Sequence, residues 1–292
     1  MPTATIPVQV IQPLQLTGDG PFVLHDPLFD WHLLAEGDSW FTIAAIPSSN
    51  LLLELRLAKS AQVFNLAYPG DTLKHMAAIA HNYDLQRYLA KRNFNYQWDA
   101  LLLSGGGNDI IDSVSSLVRA QAPAGSDPAR PESYVDLAQL DALLVALQAD
   151  YASIVALRDS ADSLSQGAPI FVHTYAYPTP RNAPATFLFA PVRGPWFYPV
   201  LKNSGLGEAL QMGIAEVVID RLADALLALD SQSGRVEALP AFHVVDTRTA
   251  LVRAAFGATG PSGDWLNEIH PNHDGYRKLA GRLATALNAA LT

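Results

Sequence analysis

The chain predicts a doubly wound α/β fold whose sheet is mostly parallel and five-stranded. Two observations predict it. Five short apolar runs recur along the 292 residues, nearly continuous in hydrophobic character, as strands covered on both faces require. Between them lie longer stretches with apolar residues at helical spacing. Strand and helix therefore alternate, as they do where helices serve as the crossovers of a parallel sheet.

The runs are DWHLLAEG (30–37), AQVFNLAYPG (61–70), WDALLLSGGG (98–107), APIFVHTYAY (168–177) and AFHVVDTR (241–248). Helical character is read in SSNLLLELRLAKS (48–60) and over Thr72 to Arg92, where Leu73, Met76, Ile79, Tyr83 and Leu89 share one face. It is read again in the long segments beginning at Asp136 and Gly207, and in the C-terminal stretch from His273. Residues 1–29 are expected to be an N-terminal extension or an edge element, and 30–292 a single domain without internal repeats. Two segments break the rhythm. Ala122 to Pro131 is Pro- and Ala-rich and reads as an exposed loop. Pro178 to Gly207 is irregular and carries Phe187, Phe189, Trp196, Phe197 and Tyr198. These aromatics either pack the loop onto the body or form a substrate wall.

Composition narrows the partners. The formal charge is −9, with no basic cluster of the kind that phosphate backbones require, so no nucleic-acid partner is expected. No apolar run is read as long enough to span a bilayer. The opening MPTATIPVQVIQPLQL lacks the basic and apolar regions of a signal peptide, so a cytoplasmic location is expected. The absence of cysteine excludes disulfides, thiolate zinc sites and a cysteine nucleophile.

Ligands of open α/β sheets bind beyond the carboxyl ends of the strands. Those ends carry Gly37-Asp38-Ser39, then Gly70-Asp71, then Gly105-Gly106-Gly107-Asn108-Asp109, and a late loop ends in His270. A serine, a glycine N–H, an asparagine amide and a histidine are the parts of serine acyl transfer: nucleophile, oxyanion donors and base. Each alone has a plain reading, Ser39 as a helix N-cap and Gly70 as half of a Pro-Gly turn. Their succession at strand ends is what points to chemistry. Asp38 and Asp109 read as loop-bonding carboxylates, Asp246 as a loop cap and His173 as a satisfied core histidine. His270 and His273 are separated by Pro271 and lack matching ligands, which argues against a metal site.

At these residues the chain resembles the SGNH hydrolases, the GDSL-type esterases and lipases. Gly37-Asp38-Ser39 matches the first block, with Trp40 where leucine is commonest. Gly70 matches the second, Gly106-Gly107-Asn108-Asp109 the third, and His270-Pro271 the end of the last. The resemblance implies a three-layer α/β/α, flavodoxin-like fold and no metal or organic cofactor. It implies Ser39 as nucleophile, His270 as general base, and the N–H groups of Ser39 and Gly70 with the Asn108 side chain as oxyanion donors. Trp40 and Trp196 are the candidate substrate-binding residues.

The last block departs from the pattern, because position 267 is asparagine where the family has aspartate. Asp264, one helical turn earlier, is the first candidate to replace that carboxylate; Asn267 itself, Glu268 or a backbone carbonyl are the others. The expected activity is carboxylic-ester hydrolysis through an acyl-serine, on a small-molecule or lipid ester. Carbohydrate deacetylation, thioester cleavage and acyl transfer would use the same groups. A binding protein that lost the triad acid is the non-enzymatic reading.

Overall fold

The computed structural model describes residues 5–16, 23–42, 49–78, 82–91, 96–186 and 192–291. Its strands are β1 (Ile6–Pro7), β2 (Gln9–Ile11), β3 (Trp31–Gly37), β4 (Arg56–Leu57), β5 (Ala61–Asn65), β6 (Ala100–Ser104), β7 (Ile170–His173) and β8 (Phe242–Val245). The helices are α1 (Ser39–Thr42), α2 (Leu73–Ala77), α3 (Tyr83–Ala90), α4 (Gly107–Leu117), α5 (Leu137–Arg158), α6 (Tyr198–Leu201), α7 (Glu208–Leu229) and α8 (His273–Leu291). The main sheet runs β2-β5-β3-β6-β7-β8, every pair parallel.

All five expected strands are present, but the sheet has six. The addition is Gln9–Ile11, which pairs with Gln62–Phe64 at the edge. Three residues are too few to show a period, which is why the sequence hid this strand. Right-handed crossovers then set the layers. The chain steps from β3 back to β5, then forward through β6, β7 and β8, so the forward connections all lie on one face. There α2, α3, α4 and α7 pack around α5. On the other face α1 and α8 meet, the Trp40 and Tyr276 rings lying 6.2 Å apart.

Two helical expectations are corrected. Residues 51–54 form turns followed by β4, with the Asn50 side chain accepting from Leu53 N. Leu51, Leu52, Leu55 and Leu57 are all fully buried there, so irregular backbone satisfies the apolar demand that mimicked a helix. The stretch from Thr72 divides into α2 and α3, each opened by its own side-chain cap, Thr72 and Asn82. Ile79, Phe187 and Phe189 lie outside the described residues.

Contrary to the bilayer-length reading, the 22-residue α5 contains an 18-residue stretch of mean hydropathy 1.6, long and apolar enough by length and composition alone to cross a membrane. Here Leu140, Leu147, Tyr151 and Ile154 are buried within the helical layer.

Candidate active site

The site begins where β3 ends. A Cβ on Gly37 would come within 2.8 Å of the Ser104 Cβ, so only glycine lets β3 and β6 lie this close. The close approach brings Asp38 N onto Ser104 O at 2.9 Å and turns the chain into α1, whose first residue is Ser39. Asp38 is almost fully buried and holds the turn from within. Its Oδ1 accepts from Trp40 N at 2.9 Å and lies 2.7 Å from Ser104 Oγ, while Tyr175 OH donates to Oδ2 at 2.5 Å. Burial pushes the Asp38 carboxyl up to about 6. His173 joins from β7, with Nε2 3.0 Å from Ser104 Oγ and Nδ1 2.9 Å from Thr174 O. Its burial pushes it down to about 4. It is a bonded core histidine, and the polar chain it completes could not be read from spacing.

The structure brings Ser39 and His270 together across 231 positions, Oγ lying 2.9 Å from Nε2. His270 Nδ1 lies 3.0 Å from Asn267 Oδ1. That same oxygen accepts the backbone N–H groups of Ile269 at 3.1 Å and His270 at 2.9 Å. Two N–H donors fix the identity of this atom as the amide oxygen, so the ring nitrogen facing it carries its hydrogen. A neutral imidazole protonated at Nδ1 presents a bare Nε2, which accepts the Ser39 hydroxyl proton. Burial pushes His270 down to about 3, so the neutral ring is the resident form.

Asp264 does not take the place of the family carboxylate. Its Oδ2 accepts from Val252 N and from the Lys278 ammonium, each at 2.6 Å, binding the loop to α8. Glu268 is also engaged elsewhere. Its Oε1 accepts from Arg181 N at 3.1 Å and Tyr198 N at 2.9 Å; its Oε2 accepts from Phe197 N at 3.1 Å and from Trp196 N. Both residues left open by the sequence therefore serve the loops around His270, and Asn267 faces the ring.

Asn108 sits in the first turn of α4, which Gly106 opens at φ 96, a conformation that favours glycine. Its Nδ2 donates to Asp71 O at 2.7 Å, joining it to the loop that carries Gly70. Asp109 Oδ2 accepts from Leu73 N at 2.8 Å and fastens the same loop to α4. Gly70 itself lies exposed in a turn closed by Asp71 N on Tyr68 O at 3.2 Å.

An apolar cleft opens at Ser39 and Asn108, with Trp40, Ile110, Phe197, Leu222, Trp265 and Ile269 in its walls. Trp40 is buried and donates from Nε1 to Ile269 O at 3.2 Å. The Trp196 ring stands edge-on to His270, centroids 5.9 Å apart. His273 pairs with Glu54 at 2.9 Å, away from His270. Asp246 accepts from Arg248 N at 3.1 Å, as a loop cap does.

No family model and no curated protein matches the chain. Solved structures similar to it include an extracellular lipase from Streptomyces rimosus, 16% identical over 89% of this chain and 99% of that one, with a TM-score of 0.47. Phospholipase A1 from Streptomyces albidoflavus is another, 15% identical over 89% of this chain and 99% of that one, at 0.46.

Proposed function

We propose that the protein hydrolyses a carboxylic ester through an acyl-serine intermediate. One observation carries this reading: Ser39 Oγ lies 2.9 Å from an imidazole nitrogen that Asn267 leaves unprotonated. A serine hydroxyl bonded to a bare, buried, oriented imidazole is an activated nucleophile. Ser39 attacks the carbonyl carbon while His270 Nε2 takes its proton. The imidazolium then protonates the leaving alcohol, and water repeats the sequence to release the acid.

Oxyanion stabilisation falls to the Ser39 and Gly70 N–H groups and to Asn108. One Asn108 amide hydrogen is directed at Asp71 O; the second is assigned to the substrate. An apolar cleft beside the nucleophile supports an acyl or alkyl ester. Incubation with a nitrophenyl ester and with a fluorophosphonate probe tests the reading. Turnover and a covalent adduct on Ser39 are expected, both lost in Ser39→Ala. Wild-type protein that neither turns over the ester nor takes the label would leave the binding-protein reading.

A further inference from the structure

We propose that Glu268 is a specificity-determining positioning residue, whose buried carboxylate fastens the Trp196–Tyr198 segment over the acyl cleft and the His270 ring. The inference rests on the acyl-serine reading and assigns a residue that reading does not use. Glu268 is fully buried. It lies between Asn267, which orients His270, and Ile269, which lines the cleft. Among the described residues its four acceptor contacts are all backbone N–H groups, and three of them come from consecutive residues, Trp196, Phe197 and Tyr198. The fourth is Arg181 N.

Arg181 closes the clasp. Its Nη2 donates to Asn267 O at 2.6 Å and its Nη1 to Ala258 O at 3.2 Å, while Glu268 N donates to Ala183 O at 2.9 Å. The carboxylate thus holds the catalytic loop to the aromatic segment, and the guanidinium ties Arg181 to that same loop. What the carboxylate holds is a wall of the site: Phe197 is fully buried in the cleft, and Trp196 stands against His270.

Only a carboxylate suits this position. Two oxygens each receive two N–H groups, and a glutamine would present one oxygen and an NH2 that faces donors. Glu268→Gln keeps the volume and breaks half of the fastening. The wall would then fit a long acyl chain poorly, whereas a short one hardly uses it.

The test compares nitrophenyl acetate with nitrophenyl decanoate, and methyl- with decyl-bearing fluorophosphonates, on wild type and Glu268→Gln. The decanoate-to-acetate ratio of kcat/KM is expected to fall about tenfold or more, since two buried N–H groups of the wall lose their acceptor and each such loss costs on that scale. The fall should appear mainly as a higher KM for the decanoate. An unchanged ratio in a variant that still takes the methyl probe overturns the inference. Should Glu268→Gln take neither probe, Trp196→Ala carries the test, and an unchanged ratio there overturns it equally. Wild type that takes no probe at Ser39 instead defeats the acyl-serine reading itself.

Discussion

Asn267 Oδ1 lies 3.0 Å from His270 Nδ1 and is locked in that orientation by the N–H groups of residues 269 and 270. In the well-studied serine triad of the chymotrypsin type, replacing aspartate by asparagine costs about 10⁴ in kcat, because the amide selects the wrong imidazole tautomer. Here two backbone donors prevent the amide from turning. The tautomer is retained, and in the proposed mechanism the difference is the missing negative charge beside the imidazolium.

Asn267→Asp should therefore raise activity. A hydrogen bond to a charged group is worth about 1 kcal/mol more than a neutral one, which is roughly fivefold in kcat. Asn267→Leu removes the acceptor and should lower kcat by far more than it changes KM. Steady-state kinetics on a nitrophenyl ester decide both, and a slower Asn267→Asp enzyme would contradict the tautomer argument.

The acid limb of kcat/KM, which reports the free enzyme, should lie unusually low. Burial pushes His270 down to about 3 from its ordinary 6.5, so kcat/KM for a short ester is expected to hold from pH 7 to below 5. The stability sign is the converse. The unfolded chain takes up this proton first, so His270 contributes stability that is present above 6.5 and lost as pH falls toward about 3. Asn267→Asp should move that kcat/KM limb upward. A wild-type limb near 6.5 would show that burial does not depress the His270 imidazole.

Asn108→Ala should lower kcat roughly 10²- to 10³-fold with KM little changed, the signature of a donor used mainly in the transition state. Equal kcat in the variant would remove Asn108 from the oxyanion site.

Asp264→Ala tests stability, not chemistry. It leaves Val252 N, bonded to Asp264 at 2.6 Å, without its acceptor. A loss of about 1–3 kcal/mol in denaturant unfolding is expected, with kcat of the folded protein close to wild type. A kcat loss as large as that of His270→Ala would restore Asp264 as the triad acid.

The polar chain behind Ser39 should carry one extra proton. Four contacts of 3.0 Å or less join Thr174 O, His173, Ser104 Oγ, Asp38 and Tyr175 OH. A neutral imidazole, two hydroxyls and a carboxylate supply three hydrogens for them. The raised carboxyl at about 6 and the depressed imidazole at about 4 both place the fourth on Asp38. Its contribution favours the fold at low pH and is lost as pH rises through about 6. Carboxyl carbon and imidazole nitrogen NMR near pH 5 should show protonated Asp38 and His173 bearing hydrogen at Nδ1 alone. An ionised Asp38 beside a neutral His173 would refute the count.

Much of this protein was legible in one dimension. The apolar runs fix β3, β5, β6, β7 and β8, because a strand buried on both faces admits few polar residues. Topology then sends Ser39, Asn108 and the Gly70 loop to one end of the sheet. The short edge strand Gln9–Ile11 escaped, since its evidence lies in the pairing partner.

The carboxylates were decided only by tertiary structure. Asp264, Asn267 and Glu268 lie within five positions, and nothing local says which of them faces His270. Lys278 and Val252 N draw Asp264 away, and four N–H groups from distant loops draw Glu268 away. Sequence determines which polar groups a buried loop must satisfy. Which partner satisfies each is settled by what the folded chain brings within about 3 Å, because a hydrogen bond depends on distance and direction.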